Sequence, residues 1–208
     1  MNNQINTTAS KTPWNKGKIV GQKPALKLKE LWEIRIRLKM ARNIRELALF
    51  NMAIDSKLRG CDLVCLKMND IIHGGKILKR AVIIQKKTKK PVHFEIIEQT
   101  RDSLKDLINE YELNYHDFLF KSRLCKSEHL STRQYALIVK KWVASIGFDP
   151  MEYGTHTMRR TKAALIYQKT KNLRVVQLLL GHSKPESTVR YLGVEVDDAL
   201  EVSEQMDV

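Results

Sequence analysis

A chain of 208 residues has room for one sizeable core and is marginal for two, and a hydrophobic content of 43% suits one globular domain with short tails. Its formal net charge of +14 favours a polyanionic partner, nucleic acid first, because each phosphate met by Lys or Arg releases counterions. The cysteines, Cys61, Cys65 and Cys125, show no Cys-x-x-Cys spacing, which argues against a disulfide framework and a zinc site. No apolar run approaches the roughly 20 residues that span a bilayer, so the expected location is the cytoplasm.

Residues 1–24 mix Asn, Thr, Lys, Gly and Pro without periodicity and read as a flexible basic arm. From Ala25 the pattern turns helical, and Leu28, Leu31, Trp32 and Ile36 form a stripe wide enough to face a core. A second helix is predicted over residues 42–55. Between residues 70 and 97 the apolar runs shorten and become β-branched, broken by Gly74-Gly75 and by the polar stretch Gln85 to Pro91. This predicts a small antiparallel sheet whose second turn carries Lys86, Lys87, Lys89 and Lys90. Helices resume at about residues 100–112, 131–146, 156–169 and 173–180, the last closed by Gly181, and Pro185 opens a short helix ending near Tyr191. The fold class is therefore α+β, mainly helical, with one domain over residues 25–193.

Residues 194–208 reverse the charge. Glu195, Asp197, Asp198, Glu201, Glu204 and Asp207 face no basic residue there, which leaves +20 on the rest of the chain. Val196, Ala199, Leu200 and Ser203 share one helical face, so this tail reads as an acidic amphipathic helix suited to dock on protein and repelled by DNA.

The chemistry gathers near the C-terminus in three segments: Thr155-His156-Thr157-Met158-Arg159-Arg160, Leu179-Leu180-Gly181-His182 and Val189-Arg190-Tyr191. His156 and Arg159 stand at i and i+3, side by side on one helix. Singly, each residue has an ordinary structural explanation as a cap, a solvated face or a core aromatic. Together they resemble the tyrosine recombinase (phage integrase) family, which carries an H-x-x-R box, a second His in an L-G-H context and a nucleophilic Tyr nine residues later. The matching residues are His156, Arg159, His182 and Tyr191. The segment Ser56-Lys57-Leu58-Arg59-Gly60-Cys61-Asp62-Leu63 resembles the family's G-L-R-x-x-E-L, with Asp62 in the Glu place and Ser56-Lys57 where Thr-Gly is usual. Gln85-Lys86-Lys87-Thr88 resembles the strand-turn that carries the catalytic lysine before a Thr, which selects Lys87. The resemblance spans about residues 25–195 and implies the tyrosine-recombinase catalytic fold.

It also implies roles that suit phosphoryl transfer. Arg59 and Arg159 offer planar forks to the phosphate oxygens, His156 assists deprotonation of Tyr191, His182 bonds a non-bridging oxygen, and Lys87 protonates the leaving 5′ oxygen. Lys86, Lys89, Lys90 and Arg160 are then expected to contact DNA. A phosphotyrosine conserves the phosphodiester bond energy, so neither metal nor ATP nor another cofactor is expected. The implied partner is double-stranded DNA, held by a homo-tetramer on paired sites, and the acidic tail either folds back on its own domain or docks head-to-tail on a neighbour, the one giving way to the other on assembly. Only the basic arm precedes the catalytic domain, as in stand-alone members of the family, though a fragment of a longer integrase would read the same. The alternative is a recombinase-derived DNA-binding module without strand transfer, which would have no need of a nucleophile. An RNA-binding reading lacks an aromatic signature, since aromatics make up 7% of the chain.

Overall fold

The computed structural model describes residues 23–123 and 127–192. The basic arm up to residue 22, Cys125 and the acidic tail therefore lie outside the described residues, and so do the expectations placed on them. In chain order come α1 (Leu28–Met40), α2 (Ile44–Ser56), the single turns α3 (Gly60–Leu63) and α4 (Met68–Ile71), then β1 (Ile72–His73), β2 (Lys76–Ile77), β3 (Arg80–Ile84) and β4 (Pro91–Glu95). The helices α5 (Glu98–Glu110), α6 (Thr132–Ser145), α7 (Thr155–Thr170), α8 (Leu173–Leu180) and α9 (Pro185–Leu192) follow.

Helix α2 is the axle. Asn43 caps its start by accepting Glu46 N–H at 3.2 Å, and every residue from Ala48 to Ser56 is buried, against α1, α5 and α7. Its polar residues are bonded inside: Asn51 accepts from Arg35 Nε at 2.8 Å and donates to Ser103 Oγ at 3.1 Å. Phe50 meets Trp142 edge to face, with centroids 5.2 Å apart, and Trp142 Nε1 donates to Glu46 Oε2 at 2.8 Å.

Helix α1 corrects one expectation. Leu31 is buried, but Leu28, Trp32 and Ile36 are about half exposed, and the core face is Leu31, Ile34, Arg35 and Leu38. Two stripes of helical period compete on this helix. The buried one was disguised by Arg35, whose guanidinium is tied to Asn51 and lies 4.8 Å over the Trp32 ring.

The expected sheet resolves into two separate antiparallel hairpins among the described residues. One is β1–β2, turning at Gly74 and Gly75, both with positive φ. The other is β3–β4, paired from Arg80↔Glu95 to Ile84↔Pro91 and turning at the lysine cluster. Leu78 and Lys79 break the run by bonding elsewhere, Leu78 N–H to Ile71 O and Lys79 O to Ile96 N–H.

The core is divided. Most buried side chains form one cluster through α1, α2, β4, α5 and α6, whereas Ala163, Val176 and Leu180 form a small second one, with Ile166, Tyr167, Tyr191 and Leu192 packed against it.

Candidate active site

Arg59 leaves α2 through a turn whose usual glycine is replaced by Lys57. Lys57 itself adopts the left-handed conformation, φ 52°, that ends the helix. Its side chain is buried, and Nζ lies 2.6 Å from Asp55 O and 2.8 and 2.9 Å from the two Glu95 carboxylate oxygens. Lys162 of α7 joins the cluster, 2.7 Å from both Asp55 Oδ1 and Glu95 Oε1. Asp55 Oδ2 accepts Ile97 N–H and Thr100 Oγ1. Burial alone would raise the Glu95 carboxyl, but Lys57 and Lys162 hold it below the usual range. This network fastens the end of α2 to β4 and α7, so Arg59 and the His156–Arg159 helix share one anchor.

The β3–β4 turn is also tied to the Arg59 segment. Lys86 N–H donates to Asp62 Oδ1 at 2.9 Å, and Arg59 Nη1 donates to Gln85 Oε1 at 2.5 Å. Lys87, Lys89 and Lys90 are exposed on the turn, and Lys87 makes no hydrogen bond or ion pair among the described residues. Exposed Lys86 points its Nζ at Cys65 Sγ, 2.8 Å away.

Helix α7 presents His156 on the surface and Arg159 in the interior, 3% exposed. Arg159 Nη2 donates to Leu180 O at 2.6 Å, while its Nη1 is buried without a partner among the described residues. That contact grips the end of α8, where Gly181 takes φ 64° against the hairpin: a Cβ there would come within 3.1 Å of Val92 Cγ2. His182 follows at once. Its carbonyl accepts Gln177 Nε2 at 3.1 Å, and its Nδ1 lies 3.1 Å from the buried Thr188 hydroxyl on α9.

Tyr191, in the last described turn of α9, closes the cluster. Its ring centroid lies 5.4 Å from that of His182, edge to face, and 6.0 and 4.8 Å from Cζ of Arg159 and Arg160. Its hydroxyl is 3.4 Å from His156 O, a loose contact. Arg160 was expected to face DNA; it is instead 8% exposed, bonds Lys23 O and covers the tyrosine ring.

Burial raises the Tyr191 phenol above its ordinary value, although Arg159, Arg160 and Arg59 pull it the other way, so it is protonated at neutral pH. Partial loss of solvent, then the guanidiniums of Arg159 and Arg59, push His182 down to about 4. Loss of solvent, then Arg159, Arg160 and Arg59, lower His156 as well, so both rings are neutral. A neutral imidazole can accept a proton or donate one hydrogen bond. Five of the six predicted residues thus converge by contact or field, and Lys87 waits on a turn held from below. Three contacts have no signal in the sequence: Gln85 with Arg59, Asp62 with the lysine turn, and Thr188 with His182.

The sequence pattern of the phage integrase family matches residues 26–197. The chain is 32% identical over 176 residues to the probable integrase/recombinase YoeC of Bacillus subtilis, covering 84% of this chain and 91% of YoeC. Against tyrosine recombinase XerH of Campylobacter jejuni it is 25% identical over 166 residues, 78% of this chain and 45% of XerH. Among solved structures, XerA recombinase superposes with a TM-score of 0.71 at 18% identity, over 89% of this chain and 66% of that one. XerH bound to its difH substrate gives 0.68 at 21% identity, over 88% and 55%. The chain thus spans nearly all of YoeC and about half of XerH. With the family pattern running through nearly every described element, the chain belongs to the phage integrase family and has the fold of a tyrosine recombinase catalytic domain.

Proposed function

We propose that the chain is a site-specific recombinase that cuts and rejoins double-stranded DNA through a 3′-phosphotyrosine at Tyr191. One observation carries the reading: a phenol sits against two guanidiniums and a neutral imidazole, with the fork of Arg159 left open at Nη1. That open donor suits a phosphate oxygen.

The phenol stays protonated in the free protein, so attack needs a base, and neutral His156, whose backbone carbonyl lies 3.4 Å from the hydroxyl, takes that part. As Tyr191 Oη bonds to phosphorus, its proton passes towards His156 and the bond from phosphorus to the 5′ oxygen breaks. Lys87 supplies the proton that makes the leaving group a 5′ hydroxyl. Arg59, Arg159 and His182 meet the charge on the non-bridging oxygens. Rejoining is the reverse, with a 5′ hydroxyl as nucleophile and Tyr191 as leaving group. Lys86, Lys89 and Lys90 line the duplex. Recombination of two duplexes requires four such chains, a homo-tetramer on paired sites, working in the cytoplasm.

The test uses a nicked duplex whose sequence is selected on the protein from a random pool, so that the cleaved fragment diffuses away and traps the adduct. The parent should give a covalent protein–DNA band on a denaturing gel. Tyr191→Phe should give none while binding the same duplex within about twofold, since only a hydroxyl is removed. A parent without adducts overturns the reading, and an adduct in the Phe variant overturns the nucleophile.

A further inference from the structure

The Arg59 guanidinium has one hydrogen bond among the described residues, from Nη1 to Gln85 Oε1 at 2.5 Å. The same oxygen accepts Thr88 Oγ1 at 2.7 Å. Gln85 also closes the turn with its backbone, its N–H donating to Lys90 O and its carbonyl accepting Lys89 N–H, each at 2.9 Å. Lys87 lies inside that loop. Arginine carries only donors, so the oxygen of the amide must face it, and the NH2 is turned the opposite way. There Nε2 is buried without a partner, 3.5 Å from where a Cβ on Gly181 would stand. Gln85, 1% exposed, therefore touches the arginine, the lysine turn and the segment leading into His182.

Packing alone does not ask for an amide here. The neighbours Val92 and Gly181 are apolar, a methionine has nearly the same length and volume, and a buried NH2 without an acceptor is unfavourable. What the amide adds is one oxygen shared by Arg59 and the lysine turn. Resting on the reading of the chain as a strand-cleaving enzyme, we propose that Gln85 is a positioning residue that fixes Arg59 and the Lys87 turn relative to each other, so that both meet one phosphate. It need not touch DNA. Its action passes through the two cations it aligns.

Gln85→Met keeps size and removes the oxygen. Thr88→Val removes one of the two donors at a partly buried position with a side chain of the same shape. Single-turnover cleavage is measured on the nicked duplex selected from a random pool, and on the same duplex with sulfur as the bridging 5′ atom, a leaving group that departs without a proton. Gln85→Met should slow adduct formation about 10²-fold on the ordinary duplex with duplex affinity nearly unchanged, the scale of an ångström-sized misplacement. The sulfur substrate should recover part of that loss, and Gln85→Met combined with Lys87→Ala should be slowed by less than the product of the single effects. Thr88→Val should show the same signature more weakly, and it carries the test if Gln85→Met does not fold. The proposal is overturned if both variants cleave at the parent's rate, or if the loss multiplies with Lys87→Ala and the sulfur substrate restores none of it. A parent that forms no adduct overturns the enzyme reading and this proposal with it; a parent that cleaves while both variants keep pace overturns this proposal alone.

Discussion

Replacing Arg159 by Lys retains the positive charge and removes the fork. One arm, Nη2, is committed to Leu180 O at 2.6 Å, and the other, Nη1, is buried and open. A lysine ammonium can keep one of these positions but cannot fill both, and it is harder to strip of water than a guanidinium. If the ammonium stays on Leu180 O, the phosphate loses a donor at the moment its charge grows, which costs about 2.7–4 kcal/mol, or 10²–10³ in rate. If it turns to the phosphate, the end of α8 loses its grip, which costs about 1 kcal/mol and some 2–4 °C of melting temperature. Arg159→Lys should therefore cleave the nicked duplex at least about 10²-fold more slowly, or melt a few degrees lower with a smaller kinetic loss. Affinity for the duplex should be almost unchanged, since it is spread over many phosphates. Single-turnover gel assays, filter binding and thermal melts on one preparation separate these outcomes. Cleavage within about fivefold of the parent at an unchanged melting temperature would refute the reasoning that the fork serves two masters.

Lys57→Met leaves Glu95 with Lys162 as its one bonded cation among the described residues, and should destabilise the fold by about 3 kcal/mol, the low end for breaking a buried ion pair; a melting temperature within a degree of the parent would remove the network from the account. Binding should weaken with salt at a log-log slope of about 0.9 per phosphate contacted, flattened by about one unit in Lys89→Ala and less in Lys86→Ala, whose Nζ leans on Cys65 Sγ. Lys87→Ala should slow cleavage far more than binding, and equal kinetic losses from all three lysines would leave the turn as a basic patch only. His182 is depressed from an ordinary value near 6.5 to about 4, so as pH falls the unfolded chain takes its proton first. That contribution to stability is whole above pH 6.5 and drains away towards pH 4; a melting series in which His182→Asn loses as much stability over this window as the parent would contradict it.

Periodicity and spacing carried the architecture far. The helix from Ile44, the helix closed by Gly181 and the turn between β3 and β4 fall where patterning and caps put them, because each depends on local chemistry. What spacing could not decide was which of two stripes on α1 faces inward, since Arg35 is buried by a partner sixteen positions away. Nor could it show that Lys57 would supply the left-handed turn, because the carboxylate that holds it belongs to β4. The burial of Arg160, a residue expected to contact DNA, is beyond spacing for the same reason: Lys23 and Tyr191, which occupy it, are distant in sequence. The six residues assigned a chemical role were named through resemblance to family segments, whereas the contacts that Gln85 makes to Arg59 and Thr188 to His182 appear only in three dimensions.

The small second cluster of Ala163, Val176 and Leu180 has a consequence for motion. Opening free energy follows the apolar surface an element has to expose, and α8 and α9 share a core separate from the one that holds α2, α5 and α6 together. Opening the turn bearing Tyr191 therefore exposes less apolar surface than opening α2, and backbone amides of α9 should exchange with solvent deuterium orders of magnitude sooner than those of α2. On the proposal that Tyr191 is the nucleophile, its presentation would then cost less than any rearrangement of the main core.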